Sequence, residues 1–319
     1  MGEQMLSVSL VVTCFNYGRF LPDAIKSARA QNTPFSEIIL IDDASTDETP
    51  EVMSSLCAQS PALIKVVRHD SNRGQLAAFH SGLAIATGSI ICFLDADDVF
   101  HSDYVAQIVA CYHANPACTF AFCREKRFRE KRELENFLAT VPGTNRYVDH
   151  GLSVLRAINH KHWIGNVTSC LSIRRDLADR FFPLKFEQDW KTRADDCLIW
   201  GASLAGGRKF EIKDALVGYR QHETNASLSL EKRMTDPCEV YLYNLASNRL
   251  FNLLQAKLGL GPGSAWHAQL EFLTVKTATK YRLKVYAGIA FRAGGFSVST
   301  ARAVFHMVKH FLRAQLLSG

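Results

Sequence analysis

Ile90-Ile91-Cys92-Phe93-Leu94-Asp95-Ala96-Asp97-Asp98 is the stretch on which the fold turns. Five apolar residues that end abruptly in carboxylates read as a buried parallel strand. Earlier in the chain, Ile38-Ile39-Leu40-Ile41-Asp42-Asp43 repeats the pattern. In open α/β sheets, ligands collect just beyond the carboxyl ends of such strands. Acidic oxygens gathered there suit a divalent cation and ribose hydroxyls, the two handles of a nucleoside diphosphate.

Working outward, strand-like runs at 8–13, 37–41, 63–68 and 90–94 alternate with helix-like runs at 21–31, 49–58 and 75–86. Short connections between them predict a parallel sheet with right-handed crossovers and helices on both faces. The expected class is α/β, Rossmann-like and mostly parallel, with a C-terminal helical extension. A further helix is expected over 103–114 and a strand over 118–123. Residues 124–135 are almost all charged and read as a solvated helix or excursion loop. Short strands are expected at 167–173, 210–212 and 216–219. Pro237 marks the division between a domain of 1–236 and helices over 237–319, broken at Gly259-Leu260-Gly261-Pro262-Gly263.

The composition, 47% apolar and 21% charged over 319 residues, is that of a globular protein rather than a disordered one. Nine cysteines without framework spacing point to a reducing cytoplasm, with sulfurs serving as small core groups. No leader precedes the first strand, and no uncharged run is long enough to span a bilayer. The net charge of +6 resides in the tail. Beyond Glu271 there is no acidic residue, whereas Lys276, Lys280, Arg282, Lys284, Arg292, Arg302, Lys309 and Arg313 are all basic. Over 298–316, Ala301, Val304, Phe305, Val308, Phe311, Leu312 and Leu316 follow helical spacing, with Arg302, His306, Lys309 and Arg313 opposite. This basic amphipathic helix is read as a contact with an anionic membrane surface, or as one packed on the catalytic domain or a second copy in a homo-oligomer. No nucleic-acid-binding motif accompanies the charge.

Four constellations carry the chemistry. Thr13-Cys14-Phe15-Asn16 ends the first strand, with polar and aromatic groups that fit a flat base. Asp42 and Asp43 stand side by side at the sheet edge, where repulsion is costly unless a ligand uses them. Arg73, in Asn72-Arg73-Gly74, offers a planar fork to a phosphate or base. In Asp95-Ala96-Asp97-Asp98, one carboxylate can take metal while another takes hydroxyls.

With these motifs in order, the chain resembles the inverting family 2 glycosyltransferases of the GT-A fold. Ala194-Asp195-Asp196-Cys197 and Tyr219-Arg220-Gln221-His222-Glu223-Thr224-Asn225-Ala226-Ser227 extend the likeness to about residue 230. The resemblance implies a nucleotide-sugar donor, UDP-linked by expectation. It implies a saccharide or lipid-linked saccharide acceptor in cell-surface polysaccharide or glycolipid assembly, and Mg²⁺ or Mn²⁺. It assigns base and ribose to Thr13, Phe15, Asn16 and Asp42, with Asp43 beside them. Arg73 falls to the base or diphosphate, Asp95 to ribose or sugar, Asp97 and His222 to the metal, and Asp196 to the general base. Asp195 stands where the family usually has Glu. The implied location is cytoplasmic, peripheral at the inner face of the membrane. Asp189 is read as a surface residue, and Trp163 as core or as a platform for an acceptor sugar.

Other classes fit less well. Asp95-Ala96-Asp97-Asp98-Val99 looks like a haloacid-dehalogenase phosphatase signature, but that signature follows a first strand, not a fourth. A nucleotidyltransferase would need a glycine-rich basic loop after strand one. A nucleotide-binding module without catalysis would have no use for Asp196.

Overall fold

The computed structural model describes residues 6–143, 146–225, 234–261, 263–276 and 278–316. Ala226, Ser227 and Pro262 of the motifs above lie outside this set. The first half builds β1 (Val8–Cys14), α1 (Leu21–Arg29), β2 (Glu37–Asp42), α2 (Thr49–Gln59), β3 (Ile64–Arg68), α3 (Gln75–Ile85) and β4 (Ile90–Asp95). β5 (Val99–Phe100), α4 (Tyr104–Ala114), β6 (Phe120–Phe128), α5 (Lys131–Leu138), β7 (Tyr147–Asp149) and α6 (Val154–His160) follow. Then come β8 (Leu171–Arg174), α7 (Arg175–Phe181), α8 (Ala194–Leu204) and β9 (Lys209–Arg220). Four helices close the chain: α9 (Pro237–Leu258), α10 (Ala265–Leu273), α11 (Lys280–Gly294) and α12 (Val298–Leu316).

The strands form one sheet of order β3-β2-β1-β4-β8-β6-β9-β5, with β7 on β9. β1 to β4 pair in parallel, as their unbroken apolar runs require. Alternate residues of these runs serve opposite faces. Val11, Ile39 and Phe93 join a core with α3, α7, α8 and α9, while Leu10, Leu40 and Leu94 join one with α1, α2 and α4. The cysteines are free thiols, and seven of them are buried in these layers.

Beyond β4 the sheet turns mixed, with β8 antiparallel to both β4 and β6. A reading from β–α alternation misses this, because alternation is lost there. The expected strands at 210–212 and 216–219 are one continuous β9, which pairs with β6 through two register shifts. The charged run at 124–135 is the solvent-facing end of β6 followed by α5, which a Glu130–Glu133 capping box starts.

α9 lays Ala246, Leu250, Phe251 and Leu254 on the first core. α10, α11 and α12 enclose a separate core around Ala268, Phe272, Tyr286, Ile289, Met307 and Phe311, joined by Leu155. The buried line of α12 is Thr300, Ala303, Met307 and Phe311. Phe305, Leu312 and Leu316, on the apolar side of this helix by sequence, are exposed beside Arg302, Lys309 and Arg313. Among the described residues, no helix is long and apolar enough to cross a membrane.

Candidate active site

The loops after β1, β2 and β4 meet at one end of the sheet. Asn16, in the left-handed region at φ 57°, turns its backbone N–H onto Ser45 Oγ (2.9 Å) and accepts from Thr46 N through Oδ1 (2.8 Å). Phe15 stands exposed beside it. Ala44 is also left-handed, at φ 63°. Such strain costs about 1 kcal/mol or more per residue and collects where surrounding contacts fix the backbone.

Protein groups engage Asp43 fully and Asp42 in part, so much of the repulsion between the two carboxylates is offset without a ligand. Asp43 is buried and accepts from His69 Nδ1 (2.7 Å), Arg73 N (2.9 Å) and Gly74 N (2.7 Å). Its role in this geometry is to hold the 70–74 loop, not to face a ligand. Asp42 Oδ1 accepts from Ser45 N (2.8 Å), and Arg68 Nε lies 3.2 Å from Oδ2. Asp42 Oδ2 is nevertheless buried without a hydrogen-bond donor. Arg73 forks onto Glu187 (3.2 and 3.0 Å), which also binds His80 Nδ1 (2.7 Å). Asp189 pairs with Arg249 of α9 and takes no part in the cleft.

The three aspartates after β4 face three ways. Asp95 accepts from Thr13 Oγ1 and Gln75 Nε2, both at 3.0 Å. Asp97 Oδ2 meets His222 Nε2 at 2.9 Å and Asn225 Nδ2 at 3.1 Å. Asp98 is walled in by Ser169 Oγ (2.6 Å) and Arg220 N (3.0 Å), a structural anchor for the segment after β9. His222 packs against Phe20, with ring centroids 4.5 Å apart, and edge-on to Tyr17. Burial, reinforced by Asp97, pushes Asp95 up to about 7.

Gln75 joins this cluster to α8. Its Nε2 donates to Asp95 and to Thr168 Oγ1 (3.2 Å), while its Oε1 accepts from Ala194 N (3.0 Å), the first amide of α8. Asp95 is thereby tied to the start of α8, the helix that carries Asp195 and Asp196. Asp196 is buried, with Oδ1 accepting from Trp163 Nε1 (2.8 Å) and Oδ2 from Tyr243 Oη and Arg193 Nε (both 2.9 Å). Burial raises its pKa against the pull of Arg193 and these hydrogen bonds. Asp195 accepts only the Asp196 amide (3.1 Å) among the described residues. Burial, then Asp196 and Asp95, push it up to about 8.

Trp163 thus touches the candidate base and, being 39% exposed, is not a core residue. Gln75, Glu187, Arg193 and Tyr243 were not visible in sequence. Gln75 follows the Asn72-Arg73-Gly74 motif directly, which was its one available signal.

Among the described residues, no three His, Cys, Asp or Glu side chains gather as a ready-made metal cage. Asp97 and His222 still form a donor pair suited to a cation that takes its remaining ligands from a diphosphate.

Gly74 fixes the loop. It has φ 90°, and a Cβ there would overlap Lys191 Cα, next to the Gln75 N to Lys191 O bond (3.0 Å). Gly74→Ala should lower stability by about 2–4 kcal/mol in urea denaturation, combining left-handed strain with overpacking. An unchanged midpoint would show that the 70–74 loop yields freely.

Residues 9–182 match the family model described as Glycosyl transferase family 2. An uncharacterized glycosyltransferase of Nostoc sp. is 30% identical over 70% of this chain and 67% of its own. The succinoglycan biosynthesis protein ExoO of Rhizobium meliloti is 29% identical over 34% of this chain, so the match spans 30% of that relative. In fold, the chain is similar to TarS of S. aureus in complex with UDP (TM-score 0.56, 16% identity, 97% of this chain and 81% of that one). It is also similar to the mannosyltransferase PcManGT of Pyrobaculum calidifontis in complex with GDP-Man and Mn²⁺ (TM-score 0.51, 16% identity, 98% and 87%). The architecture is that of the GT-A glycosyltransferases.

Proposed function

The chain belongs to glycosyl transferase family 2, and from that membership we propose a metal-assisted, inverting transfer of a hexose from a nucleoside-diphosphate sugar to an acceptor hydroxyl. The observation that carries this reading is the Gln75 carboxamide, which bridges the donor-side Asp95 to the helix bearing Asp196. The acceptor oxygen attacks the anomeric carbon, its proton passes to Asp196, and the bond to the diphosphate breaks with its electron pair on the leaving oxygen. One base and no enzyme nucleophile give a single displacement with inversion.

Thr13, Phe15, Asn16 and Asp42 hold the base and ribose. Asp42, at the carboxyl end of β2, is assigned the imide N–H of uracil; UDP is accordingly the first nucleotide to test. Asp95 takes a ribose or sugar hydroxyl, and Arg73 can exchange Glu187 for the diphosphate. A divalent cation held by Asp97 and His222 would neutralise charge on the departing diphosphate. The related exopolysaccharide protein supports a role in polysaccharide or glycolipid assembly, which we place at the cytoplasmic face of a membrane.

A thermal-shift panel of UDP, GDP and their sugars with Mn²⁺ or Mg²⁺ checks donor and metal together. UDP with Mn²⁺ should raise Tm, and Asp97→Asn should remove the metal-dependent part. No shift with any nucleotide would overturn the donor assignment.

Asp196→Asn should cut transfer by about 10²–10⁴-fold with donor binding retained. A carboxylate base works only when deprotonated, so activity should be lost as pH falls through a limb above the ordinary carboxylate range. Asp195→Asn removes a neighbouring negative charge and should move that limb to lower pH. The less encumbered carboxylate of Asp195, which accepts a single hydrogen bond among the described residues, favours a second reading, with Asp195 as base. Near-native transfer by Asp196→Asn, with loss in Asp195→Asn, would establish that alternative.

Phe305, Leu312 and Leu316, interleaved with Arg302, Lys309 and Arg313, suit an anionic lipid surface, each cation adding about 1 kcal/mol. Because α12 also covers Met307 and Phe311, substitution is a cleaner test than truncation. Phe305→Glu with Leu312→Glu should abolish co-sedimentation with phosphatidylserine vesicles. Equal retention would remove the membrane from the account.

A further inference from the structure

A cavity lies beside Trp163. It has a volume of about 420 Å³, with walls from β6 (Arg124), β9 (Glu211), the end of β7 (His150), the 162–166 loop and Arg282 of α11. That is room for a sugar ring with a substituent, beyond the needs of a lone small ion. Trp163 belongs to both places: it lines the cavity, and its Nε1 reaches Asp196 at 2.8 Å.

Guanidinium groups outnumber carboxylates in this lining, Arg124 and Arg282 against Glu211. Arg282 Nη2 donates to His150 Nδ1 (3.1 Å), which fixes His150 in the tautomer carrying its proton on Nε2. That N–H is buried without a hydrogen bond, 3.5 Å from Glu211. Behind it, Arg156 is 3% exposed, and its Nη1 also has no partner. Glu211 is already shared between Arg124 and Lys213, each at 3.0 Å. His150 Nε2 thus faces a carboxylate already committed to two cations, and Arg156 Nη1 lies unpaired behind the wall, so the surroundings of the cavity favour negative charge.

We propose that this cavity binds an anionic group on the saccharide acceptor, a phosphate or a carboxylate, and so places the acceptor hydroxyl against Asp196. The proposal rests on the glycosyl-transfer reading and supplies its acceptor class. The exposed indole face of Trp163 at the rim suits the apolar face of the sugar ring. The tail contributes a wall through Arg282, which ties the helical extension to acceptor choice.

His150 and His162 report on the site. Both are held down at about 4, His150 by burial and then Arg282, His162 by burial and then Arg156 and Arg282, with Lys209 and Glu211 the other facing charges. The test is an NMR titration of the full chain, labelled at histidine, with inorganic phosphate, glucuronate and, as an uncharged control, glucose. Either anion at millimolar concentration should shift both imidazoles and raise their pKa values, glucose should do neither, and the tighter anion identifies the acceptor's group. Arg282→Gln should weaken that binding by about tenfold or more. His162→Gln, read through His150, serves if that variant does not fold. UDP binding with Mn²⁺ is measured on the same samples. Silent imidazoles with intact UDP binding would overturn the cavity assignment, as would anion affinity unchanged in the variants. Loss of UDP binding alone would strike the donor reading instead.

Discussion

The site depends on one neutral side chain that satisfies charged surroundings from both ends. Gln75 presents its amide nitrogen to Asp95 and its carbonyl oxygen to the first amide of α8. A carboxylate there would repel Asp95, and a cation would leave the helix amide unsatisfied. The carboxamide alone has a donor at one end and an acceptor at the other. Through it, a helix supplied by the second half of the chain is set at a fixed distance from strands supplied by the first. Asp43 does similar work one layer out, spending its whole carboxylate on the loop from which Gln75 emerges.

Legibility followed periodicity. The parallel half of the sheet could be read because β1, β2 and β4 are buried on both faces and must be continuously apolar. Their carboxyl ends then located Thr13, Asp42, Asp95 and Asp97 with no further information. β5 and β7 have two and three residues and leave no pattern to detect. β9 was split in two because Lys213 and Asp214 interrupt its apolar residues, although the backbone continues through them.

At the site, sequence told where carboxylates cluster but not what each one touches. Asp42 and Asp43 are adjacent in the chain, yet one keeps an oxygen without a donor and the other keeps none. Asp97 and Asp98 differ likewise, one meeting an imidazole and the other closed in by a serine and a backbone amide. These distinctions arise from residues far away along the chain, Ser169 and His222 among them, whose approach is set by packing rather than by local pattern.

Lys209 carries a consequence for motion. Its nitrogen is wholly buried, where desolvation holds its pKa well below the usual Lys value, and it donates to the carbonyls of Ile164 (2.8 Å) and Ile199 (2.7 Å). Two main-chain oxygens from different segments share one buried donor, so neither can shift without leaving a polar group unpaired in the interior. Trp163, next to the first, and Asp196, three residues before the second, are thereby locked into one rigid jaw. The opposing jaw, where Arg73 and Glu187 meet in a half-exposed pair, is fastened far more lightly. A movement on ligand binding is therefore expected at that lighter side, with the indole and the carboxylate held in register.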